Sequence, residues 1–258
     1  MKSIAKLVAV TVVAALAAAP AVAQDKKTVR IGTEGAYPPF NFFDANNNLQ
    51  GFDIDIAKAL CEQMQVQCEF IAQDWDGIIP ALLAGKYDAI IASMSITPER
   101  QQVVAFTDKY YQTPARFIAP KDTRIAANTP EAMADKIIGA QSATTHATYL
   151  EDKYPDSEVR LYPTQDEANM DLVNGRLDAV LADSIVLYEW LNKTEDGQCC
   201  QFIGDPVVDV QYFGEGAGIA IRKEDTELVE MFNEAIAAIR ANGKYDEINA
   251  KYFPFSIY

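Results

Sequence analysis

The stretch ASMSITPER, residues 92–100, groups several side chains that can hold a small anion. Ser93 and Ser95 supply hydroxyls, and Thr97 followed by proline is typical of a helix start. Backbone N–H groups at a helix start are free to bind an anion. Arg100 adds a planar guanidinium, which pairs with a carboxylate through two parallel hydrogen bonds. The stretch therefore predicts a carboxylate site.

The apolar run before this stretch, Ala89–Ile91, predicts a buried strand that ends beside the carboxylate site. In open α/β sheets, ligands bind beyond the carboxyl ends of the strands, so this position suits a binding site. A structural alternative stays open for Arg100, which could instead form a surface ion pair with Glu99 or Asp108.

Hydrophobic periodicity alternates between strand and helix along most of the chain. The predicted strands are residues 29–32, 68–71, 87–92, 136–140, 159–161 and 177–182. The predicted helices are residues 52–64, 75–84 and 227–241, one that follows Thr144 and one that begins at Asp166. This alternation favours an α/β fold with parallel sheets that helices cover on both faces.

A short internal repeat points to two similar lobes. GKYDAIIAS at residues 85–93 recurs as GRLDAVLAD at residues 175–183. Each copy has a glycine suited to a helix C-terminus, a basic residue, and a strand that begins with Asp-Ala. The repeat places Ser93 and Asp183 at matching strand ends, which would face each other across a cleft. A chance match between two α/β units is the alternative.

Residues 1–23 have the pattern of a secretory signal peptide. A short basic start precedes an apolar run over residues 7–19, which is too short to span a membrane. Ala21–Ala23 forms a cleavage box of small residues. We therefore expect export of the chain, with cleavage before Gln24.

The composition is strongly acidic. The chain has 37 Asp and Glu residues against 22 Lys and Arg residues, a net charge of −15. Such a surface disfavours nucleic acids and anionic membranes as partners. It is compatible with a cationic ligand, and it also promotes solubility alone.

The four cysteines suit an exported protein with disulfides. Cys61 and Cys68 are spaced to link a helix end to a strand, and we expect a disulfide between them. Cys199 and Cys200 are adjacent, and three states stay open for them: a bond to each other, free thiols, or links between chains. With His146 as the only histidine, no metal-ligand spacing appears.

Four segments resemble the family 3 solute-binding proteins of bacteria, which are the periplasmic amino-acid receptors of ABC importers. The segments are IGTEGAYPPFNF at residues 31–42, GFDIDIAKALCEQM at residues 51–64, the stretch 74–111, and GKYDEINAKYF at residues 243–253. The similarity covers essentially the whole mature chain. It is nearest to the branch that binds lysine, arginine, ornithine and histidine, with the opine-binding proteins close by.

The resemblance implies the type II periplasmic binding protein fold. This fold is α/β and two-lobed, each lobe a mainly parallel sheet flanked by helices, and two crossovers form the hinge. Residues 24–113 and 209–258 are expected to form lobe one, and residues 114–208 to form lobe two.

The resemblance also implies how an amino acid is held by its α-groups. Arg100 and Ser95 are expected to bind the α-carboxylate, together with backbone N–H groups at Thr144 on the other lobe. Asp183 is expected to accept the α-ammonium, with help from the carbonyl or the hydroxyl of Ser93. An ordinary alternative for Asp183 is a helix N-cap, and the two roles do not exclude each other.

Three further residues match the positions that select the ligand side chain in this family. Tyr37 and Trp75 resemble an aromatic pair that encloses an aliphatic stem ending in a cation. Glu34 stands where receptors of basic amino acids carry an acid, but it is one methylene longer than the expected Asp. Small residues replace larger or more polar ones elsewhere in the predicted site, which leaves room for a bulkier ligand: Ala92, Ala140, Ala143 and Thr145.

The function implied is capture of a cationic amino acid in the periplasm and its delivery to an ABC permease in the inner membrane. A monomer without cofactor or metal ion is expected. An opine or a polar amino acid is an alternative ligand, and a periplasmic dehydratase on the same fold, with His146 as acid or base, is a second alternative. A ligand sensor for a membrane kinase begins with the same binding event, so the sequence does not separate it from import.

Overall fold

The computed structural model describes residues 27–258, and the predicted signal peptide, residues 1–23, lies outside them. In chain order the strands are β1 Thr28–Thr33, β2 Ala36–Tyr37, β3 Asn41–Phe43, β4 Leu49–Gln50, β5 Gln67–Ala72, β6 Ala89–Ile90, β7 Ala105–Phe106, β8 Ala115–Pro120, β9 Ile137–Gln141, β10 Glu158–Tyr162, β11 Ala179–Asp183, β12 Cys200–Val207 and β13 Ala220–Ile221. The helices are α1 Phe52–Gln63, α2 Ile78–Leu83, α3 Pro98–Gln101, α4 Thr145–Lys153, α5 Gln165–Val173, α6 Ser184–Lys193, α7 Val210–Phe213, α8 Thr226–Ala241 and α9 Lys244–Tyr252. Within residues 27–258, no helix is both long and apolar enough to cross a membrane.

Two five-stranded sheets form the framework of the molecule, as the predicted two-lobed α/β fold requires. Sheet one has the strand order β5-β1-β6-β13-β7, and sheet two has the order β10-β9-β11-β8-β12. In each sheet the first three strands are parallel and the other two pairings are antiparallel. The sheets thus share one topology, and they are mixed where the resemblance implied mainly parallel sheets.

The antiparallel pairings arise because the chain crosses between the sheets. The parallel strands end at the edge where the two sheets face each other. A strand that enters directly from the other sheet begins at this same edge, so it runs antiparallel to them. β8 enters sheet two after residues 107–114, and β13 enters sheet one after residues 208–219.

The two crossing segments lie side by side. Tyr110 N–H donates to Ala217 O (2.9 Å), and Ala217 N–H donates to Tyr111 O (2.9 Å). We propose that this pair of segments is the hinge between lobe one, residues 24–113 and 209–258, and lobe two, residues 114–208.

Helices cover both faces of each sheet because neighbouring residues of a strand point to opposite faces. In β6, Ala89 packs in a core that contains residues of α1, α8 and α9, while Ile90 packs in a core with α2. In β11, Leu181 packs with residues of α4, and Val180 packs with α5 and α6. The helices therefore cover the faces and leave the carboxyl ends of the strands for a binding site.

The sequence repeat corresponds to equivalent positions in the two sheets. Asp88 N–H donates to Arg30 O (2.8 Å), and Asp178 N–H donates to Ile137 O (2.8 Å). Each carboxylate in turn accepts from the backbone N–H of the same neighbouring residue, at 3.0 Å in sheet one and 2.8 Å in sheet two. The aspartates thus fasten β6 to β1 and β11 to β9 in the same way.

Two predicted elements differ from those observed. The predicted helix over residues 75–84 is a 3-10 turn at Trp75–Gly77 followed by α2. The predicted strand over residues 87–92 pairs only at Ala89–Ile90, because the chain turns away at Ser93, whose φ of 55° is left-handed.

The structure contains two disulfides in its described part. The predicted bond between Cys61 and Cys68 links the end of α1 to β5. Cys199 and Cys200 are bonded to each other at the start of β12, which is one of the three states that the sequence left open.

Candidate ligand-binding site

Two adjoining cavities lie where strand ends from the two sheets meet. The smaller cavity is lined by Gln141, His146 and nine of the ten predicted site residues: Glu34, Tyr37, Trp75, Ala92, Ser93, Ser95, Arg100, Thr144 and Thr145. The tenth predicted residue, Asp183, lines the larger cavity. The two cavities share Tyr37, Ser93, Ser95 and His146, so the structure brings all ten residues to one region.

The Arg100 guanidinium is held by backbone carbonyls and an aromatic ring. Nη1 donates to Ser95 O (3.1 Å), and Nη2 lies 3.4 Å from Ala143 O on the other side of the cleft. Its Cζ lies 5.4 Å from the ring centre of Trp75. As predicted, Thr97 caps a helix here, because its Oγ1 accepts from Arg100 N–H (3.2 Å). This helix, α3, has only one turn, so the guanidinium is the main positive group of the segment.

Arg100 lacks a counterion among the residues that the structure describes. Neither Glu99 nor Asp108 forms an ion pair with it, which was the structural alternative for this residue. Burial lowers the pKa of Arg100 to about 10, and the group stays cationic at neutral pH. A partly buried charge without a partner is costly, and an anionic ligand would offset that cost.

A second helix start faces the cavity from lobe two. Thr144 caps α4 through its Oγ1, which accepts from Ala147 N–H (3.1 Å). The same hydroxyl donates to Gln141 O (2.7 Å). The backbone N–H groups of Thr145 and His146 have no acceptor within the helix, since the first turn of any helix leaves its donors free. They can serve a bound anion.

Asp183 is a buried acid at the start of α6. Its Oδ1 accepts from Ile185 N–H (2.8 Å) and lies 3.4 Å from Val186 N, so it is the helix N-cap that the sequence offered as an alternative. Its Oδ2 accepts from the Thr113 hydroxyl, which lies on a crossing segment. Burial raises the pKa of Asp183 to about 6. The carboxylate is ionised at neutral pH and is tied directly to the proposed hinge.

Glu34 pairs with a residue that sequence reasoning missed. Its Oε1 accepts from Gln141 Nε2 (2.6 Å), and the same nitrogen donates to Pro163 O (3.1 Å). Both partners are acceptors, so they fix the amide orientation and leave Gln141 Oε1 free to accept. Burial raises the pKa of Glu34 to about 7. The position of Gln141 at the carboxyl end of a strand was the available sequence signal.

The two predicted aromatic residues both line the smaller cavity. Trp75 is buried, and its Nε1 donates to Ala143 O across the cleft (3.1 Å). Tyr37 stacks on Phe40 with ring centres 6.3 Å apart. Their enclosure of a ligand side chain stays a proposal.

The small residues do not all enlarge the cavity. Ala92 and Thr145 line it, whereas Ala140 is fully buried in the core of lobe two and lines neither cavity. Ala143 contributes its carbonyl, which accepts from Trp75. The expectation of extra room at Ala140 was therefore wrong, because alternate residues of β9 point to the core.

His146 belongs to the linings of both cavities. Its ring packs on Phe213, with ring centres 5.4 Å apart. Burial and the nearby charge of Arg100 lower the pKa of His146 to about 3. The imidazole is therefore neutral at physiological pH.

Direct contacts join the two lobes across the cleft. Besides the bonds to Gln141 and Ala143, the Ser142 hydroxyl donates to Asp76 Oδ1 (2.8 Å). A cavity between two α/β lobes that are joined by paired crossing segments is the arrangement of a hinge-closing binding protein.

Comparison with known proteins agrees with this class. Residues 29–255 match the bacterial extracellular solute-binding proteins, family 3, and the chain belongs to this family. It is 50% identical over 242 residues to the L-arginine-binding protein of Pseudomonas aeruginosa, covering 93% of this chain and 92% of that protein. It is 42% identical over 234 residues to the lysine/arginine/ornithine-binding periplasmic protein of Escherichia coli, covering 90% of each.

A solved structure shows the same architecture. An ancestral arginine-binding protein bound to arginine superposes with a TM-score of 0.82 at 35% sequence identity. The match covers 89% of this chain and 100% of that protein.

Proposed function

We propose that this protein is the periplasmic substrate-binding component of an ABC importer, and that it captures a cationic amino acid, arginine before the others. The charge pattern of the two cavities carries this proposal. One cation, Arg100, lines the region together with the two carboxylates that we assign to the ligand, Glu34 and Asp183. An amino acid with a cationic side chain presents the opposite set: one carboxylate and two cations.

Each group of such a ligand has a partner of the right chemistry. The α-carboxylate would pair with Arg100 and the free N–H groups at the start of α4. The α-ammonium would lie between Asp183 and Ser93. Asp209 also lines the larger cavity, and like Asp183 it caps a helix, because its Oδ1 accepts from Gln211 N–H (3.0 Å).

The Glu34–Gln141 pair favours a guanidinium at the side-chain end. Glu34 offers a carboxylate, and Gln141 offers the free acceptor Oε1 beside it. A guanidinium has five donors in a plane and can serve both groups, while an ammonium is a compact point charge. The names of the arginine-binding relatives support the same choice. Lysine, ornithine, histidine and opines are the alternative ligands.

Ligand binding would stabilise the closed arrangement of the lobes. Arg100 and Glu34 belong to lobe one, whereas Thr144, Gln141 and Asp183 belong to lobe two. A ligand that contacts both sets binds the closed state better than the open one, so it shifts the population toward closure. Both lobes come from one chain, and a monomer is therefore sufficient. We propose that this closed form delivers the ligand to the permease.

We propose that the protein is not an enzyme. A neutral histidine whose pKa is about 3 is a weak base at physiological pH, which argues against His146 in a dehydratase. Glu34, with a pKa of about 7, would be held ionised by a cationic side chain rather than exchange protons with a substrate. Mass spectrometry of arginine after incubation with the protein checks this point, and we expect the amino acid to be recovered unchanged.

Calorimetric titration of the mature protein, stripped of bound ligand, tests the proposed function. The panel is arginine, lysine, ornithine, histidine, glutamine and octopine. We expect arginine to bind with a dissociation constant of about 1 μM or below and glutamine to bind far more weakly. If none of the cationic ligands in the panel binds detectably, the proposal is rejected.

Arg100→Ala tests the carboxylate site directly. We expect every amino acid of the panel to lose at least about 100-fold in affinity, because two charge-assisted hydrogen bonds are removed. Arg160→Ala is the matched control, since Arg160 pairs with Glu158 on the surface of lobe two, outside both cavities. Retained affinity in Arg100→Ala would remove Arg100 from the site.

A further inference from the structure

We propose that the disulfide between Cys199 and Cys200 is a thiol-exchange site. A small thiol forms a mixed disulfide with Cys199 there, and Cys200 becomes the resolving thiol. The bond lies on lobe two, where the 3-10 turn Asp196–Cys199 meets β12. The site is independent of the ligand held in the cleft, so it goes beyond the proposed function.

Adjacency in the sequence constrains this bond. One peptide links the two residues, so their Cα atoms lie 3.8 Å apart. Protein disulfides ordinarily span about 4.4–6.8 Å between Cα atoms, and a bond outside this range is strained and more easily reduced. The bond between Cys61 and Cys68 spans 6.0 Å, which is within the ordinary range. The chain therefore contains one constrained disulfide and one unconstrained reference.

The two residues of the constrained bond differ in their access to solvent. Cys199 is exposed, whereas Cys200 is 4% exposed and lies in the core that contains Trp190. Exchange requires that a thiolate reach a sulfur atom, so a thiol in solution attacks Cys199 first. In the reference disulfide, Cys61 is 3% exposed and Cys68 is partly buried against the core of lobe one.

The exchange is a substitution at sulfur. The thiolate of the small thiol attacks Cys199 Sγ, and a new S–S bond forms there. The bond to Cys200 breaks, and the electron pair leaves on Cys200 Sγ, which takes a proton from water. The product is a mixed disulfide on Cys199 beside a thiol at Cys200.

Two routes lead on from the mixed disulfide. In one, Cys200 attacks Cys199 Sγ, restores the original bond and expels the small thiol. In the other, a second small thiol attacks the small thiol's sulfur in the mixed disulfide. This route leaves both cysteines as thiols and releases the two small thiols as their own disulfide, so the protein gains two electrons and the small thiols lose two.

Backbone hydrogen bonds hold this segment independently of the sulfurs. Lys121 N–H donates to Cys199 O (3.0 Å), and Cys200 pairs with Pro120 in the ladder between β12 and β8. Neither cysteine lines either of the two cavities, and β12 reaches the larger one only at its other end, through Val207. Exchange should therefore leave the fold and the arginine affinity unchanged.

Mass spectrometry of the oxidised mature protein tests the proposal, with glutathione as the small thiol. The protein is incubated at about pH 8, where thiols are partly ionised, over a series of glutathione concentrations. Free thiols are then capped with N-ethylmaleimide, and fragment spectra assign each adduct to its cysteine. We expect glutathione on Cys199 and the cap on Cys200, at a concentration at least about tenfold below the one that opens Cys61–Cys68, because strain and access both favour the adjacent pair.

Two single variants test the difference in access by itself. Cys200→Ser leaves a thiol at Cys199, and Cys199→Ser leaves a thiol at Cys200. We expect the first thiol to react with N-ethylmaleimide at least about tenfold faster than the second, because burial slows the reaction. Circular dichroism checks that both variants fold, and the glutathione series on the unchanged protein decides if either does not.

Several outcomes would overturn the inference. They are the absence of an adduct at concentrations that open Cys61–Cys68, an adduct on Cys200 in place of Cys199, and equal reaction rates for the two folded variants. A lower arginine affinity of the exchanged protein, measured by calorimetry, would likewise contradict a site separate from the cleft. If the oxidised protein binds no arginine, only the proposed function is rejected, because the adducts are measured without a ligand.

Discussion

Glu34 shows how a single residue couples ligand binding to pH. Its partly buried carboxyl has a pKa of about 7, because burial outweighs the hydrogen bond from Gln141. A cationic side chain pairs only with the ionised form. Binding below pH 7 must therefore release a proton from Glu34, and Asp183, with a pKa of about 6, adds a second release at lower pH.

We predict that arginine binds more weakly as the pH falls below about 7. The dissociation constant should rise by about tenfold per pH unit where one proton is released. Glu34→Gln removes the titrating group, so it should weaken arginine binding at pH 8 and flatten the dependence between pH 7 and 6. Calorimetry at a series of pH values measures both effects. A profile that Glu34→Gln leaves unchanged would assign the titration to another group.

At the scale of elements, the two sheets are built by the same local devices. Gly85 follows α2 with a φ of 74°, and Gly175 follows α5 with a φ of 68°. Both end a helix in the left-handed conformation, and the aspartate three residues later fastens the next strand. No neighbouring atom lies within 4 Å of a Cβ built at either glycine, so only the backbone conformation requires glycine there.

Gly85→Ala and Gly175→Ala should therefore destabilise the protein by similar amounts. We expect a loss of about 1 kcal/mol each in the free energy of unfolding, the cost of an L-residue in the left-handed region. Lys86→Ala, at an exposed neighbouring position, is the control and should change stability by less than about 0.5 kcal/mol. Urea unfolding measures all three variants. Very different losses in the free energy of unfolding for the two variants would show that the left-handed glycine does not contribute equally in the two lobes.

At the scale of the whole molecule, three acids with raised pKa values oppose folding at neutral pH in the ligand-free protein. The pKa of Glu34 is about 7, and the pKa values of Asp53 and Asp183 are about 6. In the unfolded chain these groups release their protons near pH 4. Between about pH 4 and 7 these three groups thus bind more protons in the folded state than in the unfolded state, so their contribution to stability falls as the pH rises.

Arginine should reverse part of this trend. A bound ligand keeps Glu34 and Asp183 ionised, so the folded complex no longer holds their protons and loses less stability as the pH rises. We predict that the increase in Tm on addition of saturating arginine grows from pH 5 to pH 7.5. Differential scanning calorimetry with and without arginine measures it. A ligand-induced increase that is the same at every pH would contradict the proposed ion pairs.

The amino-acid sequence alone determined the local elements and part of the site. The stretch at residues 92–100 predicted the helix cap at Thr97 and singled out Arg100, and the repeat predicted matching strand ends at Ser93 and Asp183. Capping, strand propensity and the spacing of Cys61 and Cys68 depend on residues close in sequence, so pattern reasoning finds them. The family resemblance added the two-lobed fold.

Only the tertiary structure decided the contacts between distant segments. Glu34 and its partner Gln141 are 107 residues apart, and the Ser93 hydroxyl donates to Asp53, which lies 40 residues away. The antiparallel strands β8 and β13 likewise follow from the path between the lobes and from no local pattern. A residue's type sets which hydrogen bonds it can make, but the packing of whole lobes sets which partner reaches it. The residues that shift the pKa of Glu34 and orient the Ser93 hydroxyl can therefore be identified only from the folded structure.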